Sequence, residues 1–142
     1  MRIFHSSLNL RTFLHYYRLY PDKKLNVLKS YAMLDSDFSA FCKTHRDKID
    51  MLALDCGAWS YNNAQTSIPY LSTIHPYRNF LLTFGHYFDL YFNLDRVFDD
   101  DVDELNYQNQ LHLENAGLHP IPVIHDPMGC LLYTSDAADD LL

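Results

Sequence analysis

The chain has 142 residues, of which 48% are hydrophobic and 15% aromatic, enough apolar surface for one packed domain but too little length for two. That composition excludes a disordered chain. The formal net charge of -7 argues against a broad basic face for nucleic acid in this part of the protein; the closest Lys/Arg grouping, Lys23-Lys24, reads as a solvated loop.

Arg2-Ile3-Phe4-His5 reads as a short strand ending in the polar turn Ser6-Ser7. Leu10, Phe13, Leu14, Tyr17 and Leu19 approximate helical spacing, and Pro21 ends that helix. Leu25, Val27, Leu28, Tyr31 and Leu34 predict a second, short helix. A third, capped by Asp35 or Ser36, runs through Phe38, Phe41 and Cys42 to about His45. The apolar run Ile49-Asp50-Met51-Leu52-Ala53-Leu54 stops abruptly at Asp55-Cys56-Gly57, as a buried parallel strand does. Residues 58–68 are polar and read as a loop. Helical spacing returns from Pro69 to about Gly85, with Pro76 a point where that segment kinks or divides. Residues 88–94 form the next strand, ending at Asp95. The acidic stretch from Asp99 to Asp103 suits a helix start, and that helix runs through Leu105, Leu111 and Leu113 to Gly117. Ile121-Pro122-Val123-Ile124 is a fourth strand, ending at His125.

This βα alternation requires a parallel sheet with right-handed crossovers, hence an α/β fold. Cys42, Cys56 and Cys130 show neither CxxC nor paired spacing, which argues against a zinc knuckle or a disulfide framework and makes a reducing cytoplasm the expected compartment. The first five residues lack the apolar core of a signal peptide, and no stretch approaches the about 18 apolar residues a membrane helix needs. The string from Cys130 to Asp139 reads codon by codon as a translated sequencing adapter. The expected organisation is therefore one domain over residues 1–129 and a non-native tail over 130–142, with the natural sequence continuing differently beyond Gly129.

A polar residue follows each expected strand: His5, Asp55, Asp95 and His125. Ligand sites of parallel α/β proteins lie at the carboxyl ends of the strands, so these four are expected on one rim. Each taken alone also fits a cap or loop residue. Asp55-Cys56-Gly57-Ala58-Trp59-Ser60 is the most informative segment: a carboxylate at the strand end, a glycine that lets backbone approach a ligand, and an indole for stacking. A carboxylate can accept paired N–H bonds from a guanine-like edge without any metal.

Leu54-Asp55-Cys56-Gly57-Ala58-Trp59 is similar to the strand-end motif of tRNA-guanine transglycosylases (queuine tRNA-ribosyltransferases), and closer still to the Leu-Asp-Ser-Gly-Ala-Phe variant of phage-associated 7-deazaguanine DNA transglycosylase-like proteins. Phe92-Asn93-Leu94-Asp95 resembles the family strand ending in a base-recognising Asp, and Pro120 to His125 resembles a later strand. The resemblance spans roughly residues 2–127. It implies the N-terminal half of a TIM-type (β/α)8 barrel, with about four parallel strands and intervening helices. It implies catalytic or base-recognising roles for Asp55 and Asp95, with Cys56, Gly57, Trp59, His125 and His5 lining the substrate site. Family members displace guanine through a covalent intermediate on a carboxylate. Cys56 and Trp59 depart from the family pattern. No residue here matches the family nucleophile or its Cys/His zinc site, both of which belong to a later half. The chain by itself is therefore expected to be inactive and to hold no cofactor, any structural zinc belonging to that half. The implied partners are a purine or 7-deazapurine base and nucleic acid; no membrane partner is expected, and exposed sheet edges would favour self-association.

Two other readings fit the residues. His5, Asp55, Asp95 and His125 are metal-ligand types, which would make the parent a metal-dependent barrel hydrolase, although no HxH pair marks the first strand. The chain also fits a non-catalytic α/β fragment. Cys56 with His125 would mimic a nucleophilic pair, against the plainer reading of a buried or rim thiol. His15 and His112 read as helix surface or packing residues.

Overall fold

The computed structural model describes residues 3–6, 8–34, 38–58, 74–95 and 102–123. Most of the loop expected over 58–68, the acidic stretch 99–101 and the tail 130–142 lie outside the described residues. The elements are β1 (Phe4–His5), α1 (Leu10–Leu19), β2 (Leu25–Ser30), α2 (Phe38–His45), β3 (Ile49–Asp55), α3 (Ile74–Phe84), β4 (Leu90–Tyr91) and α4 (Val102–Glu114). Short 3₁₀ turns follow β2, α2 and α3.

The four strands form one parallel sheet in the order β1-β2-β3-β4. Beyond β4, Phe92 and Ile121 make a parallel bridge, and Ile121 N donates to Tyr91 O at 2.8 Å. The segment at Ile121 thus runs beside β4, where the next strand was expected.

One expectation is overturned. Residues 25–34 do not form a helix: Leu25–Ser30 is strand β2, followed by a 3₁₀ turn at Tyr31–Met33. Leu25 and Val27 are buried while Asn26 and Leu28 are half-buried, a period of two rather than 3.6. Pairing decides the matter: β2 lies between β1 and β3, in register with β3 from Leu25 to Ser30 across one irregularity at Leu25/Asn26. Tertiary hydrogen bonding overrides a local spacing that suits either element. The expected strand over 88–94 is also shorter than predicted, its regular ladder being confined to Leu90–Tyr91.

Strand order follows chain order without reversal, so right-handed crossovers place the described helices on the same side of the sheet. Contacts between successive helices agree. Phe13 of α1 meets Phe41 of α2 with ring centroids 5.2 Å apart, Phe38 of α2 meets Phe80 of α3 at 6.1 Å, and Arg78 of α3 reaches His112 of α4 at 3.2 Å. Val27, Leu52 and Leu54 point into this layer and are fully buried. Leu28, Met51 and Asp55 alternate onto the opposite face and are half-buried.

Local signals set the helix ends. Asn9 caps α1, its side chain accepting from Thr12 N at 2.9 Å. Pro76 falls in the first turn of α3, where its missing N–H leaves no intrahelical bond unmade; residues 69–73 of the segment expected to kink or divide lie outside the described residues. Gly117, at φ +79°, closes α4, with Leu118 N returning to Leu113 O at 3.1 Å.

The amino ends of β3 and β4 are joined by a polar clip. Asp89 N donates to Leu52 O at 2.9 Å, and the Asp89 carboxylate accepts from Leu52 N at 2.6 Å. Arg46 donates to that carboxylate at 2.6 Å, to Ile49 O at 2.9 Å and to Tyr87 O at 3.2 Å. Among the described residues no helix is long and apolar enough to cross a membrane.

Phe13 is fully buried where α1, α2 and β2 meet, and its ring touches Tyr17, Phe41 and His45. Phe13→Ala is expected to lower unfolding free energy by about 3–5 kcal/mol in urea titrations. An unchanged midpoint would mean that α1 is not docked through this ring.

Candidate functional site at the carboxyl ends of β3 and β4

The site begins with the stop of β3. Leu52, Ala53 and Leu54 are at most 1% exposed, and the next residue is a carboxylate. The chain then turns sharply. Asp55 Oδ2 accepts from Gly57 N at 3.0 Å, and Gly57 takes φ +85°. A Cβ on Gly57 would lie 2.5 Å from Ala32 Cβ and 2.6 Å from Ser30 Oγ, so the turn needs glycine for both conformation and space. The same close approach locks the end of β3 against the turn that leaves β2.

Asp95 arrives from the adjacent strand. It is 9% exposed and accepts a hydrogen bond from the thiol of Cys56, itself 1% exposed. Cys56 therefore sits between two carboxylates, one preceding it in sequence and one facing it across the strands. Burial raises the Asp55 carboxyl above the ordinary range; the Gly57 N–H offsets part of that effect, and the nearby Asp95 charge adds to it. Burial, with the Asp95 charge next in weight, pushes the Cys56 thiol well up. Burial and the two neighbouring carboxylates favour the protonated thiol, the form that donates to Asp95, and His125 of the Cys–His reading lies outside the described residues.

Past β4, Phe92 N still donates to Leu54 O at 3.0 Å and Asn93 N to Ile121 O at 2.8 Å, and helix side chains bond further main-chain carbonyls of this segment. The Tyr77 hydroxyl donates to Phe92 O at 2.7 Å, and Asn109 Nδ2 donates to Leu94 O at 2.9 Å. Asn93 Nδ2 donates in return to Asn106 O of α4 at 2.7 Å. Gln110 donates to Pro120 O at 3.0 Å, and the Tyr91 hydroxyl accepts from His119 N at 2.9 Å, which fixes the approach to Ile121. Tyr77 is fully buried, its ring edge-on to Tyr31 at 4.9 Å; burial first, and then the nearby Cys56 and Asp55, hold its hydroxyl in the neutral donor form.

These supporting residues were not foreseen from the sequence. The expected apolar stripe of α4 was Leu105, Leu111 and Leu113. The buried stripe is Asn106, Asn109, Gln110 and Leu113, while Leu111 is exposed. The spacing i, i+3, i+4, i+7 was available in the sequence, with amides in place of aliphatics on the inward face. A helix that turns amides inward is satisfying main-chain groups of the segment beneath it.

The structure thus brings Asp55, Cys56, Gly57 and Asp95 together. It does not bring His5 to them. His5 pairs with Val27, which pairs with Leu52, three positions before Asp55 on β3 and on the other face of the sheet. His5 is exposed. Trp59 and His125 lie outside the described residues. Among the described residues no group of three or more His, Cys, Asp or Glu, Asp55, Cys56 and Asp95 included, is arranged so that it could hold a metal ion. A cavity of about 400 Å³ lined by Leu10, Lys29, Phe38 and Phe41 belongs to the helix layer between α1 and α2, and neither carboxylate lines it. Comparison with family models, curated proteins and solved structures returned no match.

Two outcomes follow from this geometry. A carboxyl whose folded pKa exceeds its unfolded value binds its proton more tightly in the fold, so its ionised form opposes folding above that pKa. Asp55→Asn is therefore expected to stabilise the chain at pH 7, with the gain shrinking as pH falls toward 3.8. Denaturant midpoints at several pH values measure this, and a gain independent of pH would remove the burial account. Gly57→Ala is expected to destabilise by about 1–3 kcal/mol, since it imposes both a left-handed backbone and a clash. A wild-type melting temperature for that variant would contradict the geometry of the turn.

Proposed function

We propose that the chain forms the first half of a (β/α)8 barrel whose strand-end site recognises guanine or a 7-deazaguanine base, as part of a base-exchanging transglycosylase that acts on nucleic acid. The barrel reading is supported by the unreversed strand order and the single helix layer, since a doubly wound sheet would carry helices on both faces. The observation that carries the functional reading is the pair of carboxylates, Asp55 and Asp95, held around Cys56 at the ends of neighbouring parallel strands.

The chemistry follows from the two environments. A guanine edge presents two parallel N–H donors, which a carboxylate receives in a bidentate pair. Two carboxylates at adjacent strand ends suit a base that must be gripped and also relieved of, or supplied with, a proton. The raised affinity of Asp55 for its proton fits it to that exchange, because a general acid or base works best when its pKa approaches the working pH. The Cys56 thiol donates to Asp95 and orients it. Trp59 supplies a stacking face, and His125 a further polar contact. The nucleophile and any structural zinc belong to the other half of the barrel.

Base exchange is measured as incorporation of labelled guanine into DNA or tRNA by a homologue that carries both halves. Asp55→Asn there is expected to lower incorporation at least about a hundredfold, the lower range for loss of a general acid or base, with the circular dichroism spectrum unchanged. Incorporation at the wild-type rate would rule out a catalytic role for Asp55.

A further inference from the structure

The helix-covered face of β2 ends in a charge. Leu25, Val27 and Lys29 alternate onto that face, and Lys29 pairs with Leu54, a fully buried aliphatic of the same layer. A third aliphatic would extend the core at this position, but a half-buried lysine occupies it. Its ammonium is held on two sides. Lys29 Nζ donates to Leu8 O at 3.0 Å and lies 5.1 Å from the centre of the Phe41 ring.

Lys29 forms part of the wall of the cavity of about 400 Å³ between α1 and α2. That volume falls within the range of about 300–1,000 Å³ that small-molecule sites occupy. Leu10, Leu34, Phe38 and Phe41 supply apolar wall, and the His45 ring, 5.4 Å from that of Phe41, adds aromatic surface. Leu10 and Met33, which also line the space, are 49% and 73% exposed, apolar area that a bound body would remove from water. Among the described residues Lys29 is the one lysine or arginine of the wall, and no Asp or Glu lines it. Asn9 and Leu10 place the amino end of α1 at its border, where the helix dipole adds positive potential and the first turn carries no carboxylate.

We propose that this cavity binds a small organic monocarboxylate, its carboxylate at the Lys29 ammonium and its aromatic or aliphatic body against Leu34, Phe38 and Phe41. The wall itself selects that chemistry. A purely polar anion such as inorganic phosphate would lose water against apolar side chains that return no hydrogen bond. One ammonium offsets one negative charge, not the nearly two of a phosphate monoester. A neutral apolar molecule would take water from the ammonium without giving it a charge-assisted bond. The wall is drawn from α1, β2 and α2, so a bound molecule ties the first two βα units together and stabilises their packing by mass action. Asp55 and Asp95 are not part of it, so the cavity holds its ligand whether or not the strand-end site exchanges bases.

Isothermal titration calorimetry of the full chain with phenylpropanoate tests it. One molecule is expected per chain, with Kd below about 1 mM and a melting temperature that rises with ligand concentration. Phenylpropanamide, which has the same shape and no charge, should bind at least about tenfold more weakly. Lys29→Met keeps an unbranched apolar stem and should bring the acid down to the affinity of the amide, while Lys29→Arg should keep most of the difference. Ala40→Trp, at an exposed lining position of α2, fills the space without altering the charge and should abolish binding with the circular dichroism spectrum unchanged. No saturation by phenylpropanoate up to about 10 mM, equal affinity for acid and amide, or undiminished binding by Ala40→Trp would each overturn the proposal. If Lys29→Met does not fold, the amide and Ala40→Trp comparisons decide the matter. The readout involves no base exchange, so its failure and a failure of the strand-end reading are told apart directly.

Discussion

Unreversed strand order is the constraint on which the rest of this structure depends. Each crossover returns to the same side, so α1, α2, α3 and α4 pack as one layer, and among the described residues helices cover one face of the sheet. The other face carries Leu28, Met51 and Leu90, apolar side chains that no described helix covers. Parallel sheets are stable with both faces buried, and a sheet with helices on one side reaches that state by curling until its own strands fill the interior. The proposal of a barrel draws on this requirement. The same constraint places Asp55 and Asp95 at one end of adjacent strands rather than across the sheet.

Much of the framework was legible in the sequence because its signals were local and unambiguous. The run from Ile49 to Leu54 could be little else than a buried strand, and Asn9, Pro21 and Gly117 mark helix ends by their own backbone chemistry. β2 was not legible. Leu25, Leu28 and Tyr31 fit a helical face as well as Leu25 and Val27 fit a strand face, and what settles the choice is the pair of neighbours β1 and β3, which no local window contains. At the site, Asp55, Cys56, Gly57 and Asp95 stood out because a polar residue directly after an apolar strand has one place to go. His5 followed the same rule and sits elsewhere, because β1 stops three positions short of the level that Asp55 reaches.

The carboxylates are held by unusual means. Residues 92–95 are fixed by main-chain bonds to Leu54 and Ile121 and, in addition, by Tyr77 and Asn109, which donate to Phe92 and Leu94, and by the bond from Asn93 to Asn106. Helix α4 gives up apolar burial to present amides inward, and the burial of Asp55 opposes its ionisation. Both features reduce stability relative to an aliphatic alternative, and they coincide at one end of one pair of strands. The proposal of a recognition site at this end of the strands draws on that coincidence.

The Arg46–Asp89 clip lies at the opposite end of the same two strands. Arg46 ties together Ile49, Tyr87 and Asp89 with charge-assisted bonds, so the spacing of β3 and β4 is set before either strand reaches its carboxylate. This division of labour has an evolutionary consequence. Segments that leave the far ends of these strands are free to lengthen, shorten or change chemistry among descendants without loosening the hinge that aligns them. A lineage built on this frame can vary those outer segments while inheriting the alignment of its two acids unchanged.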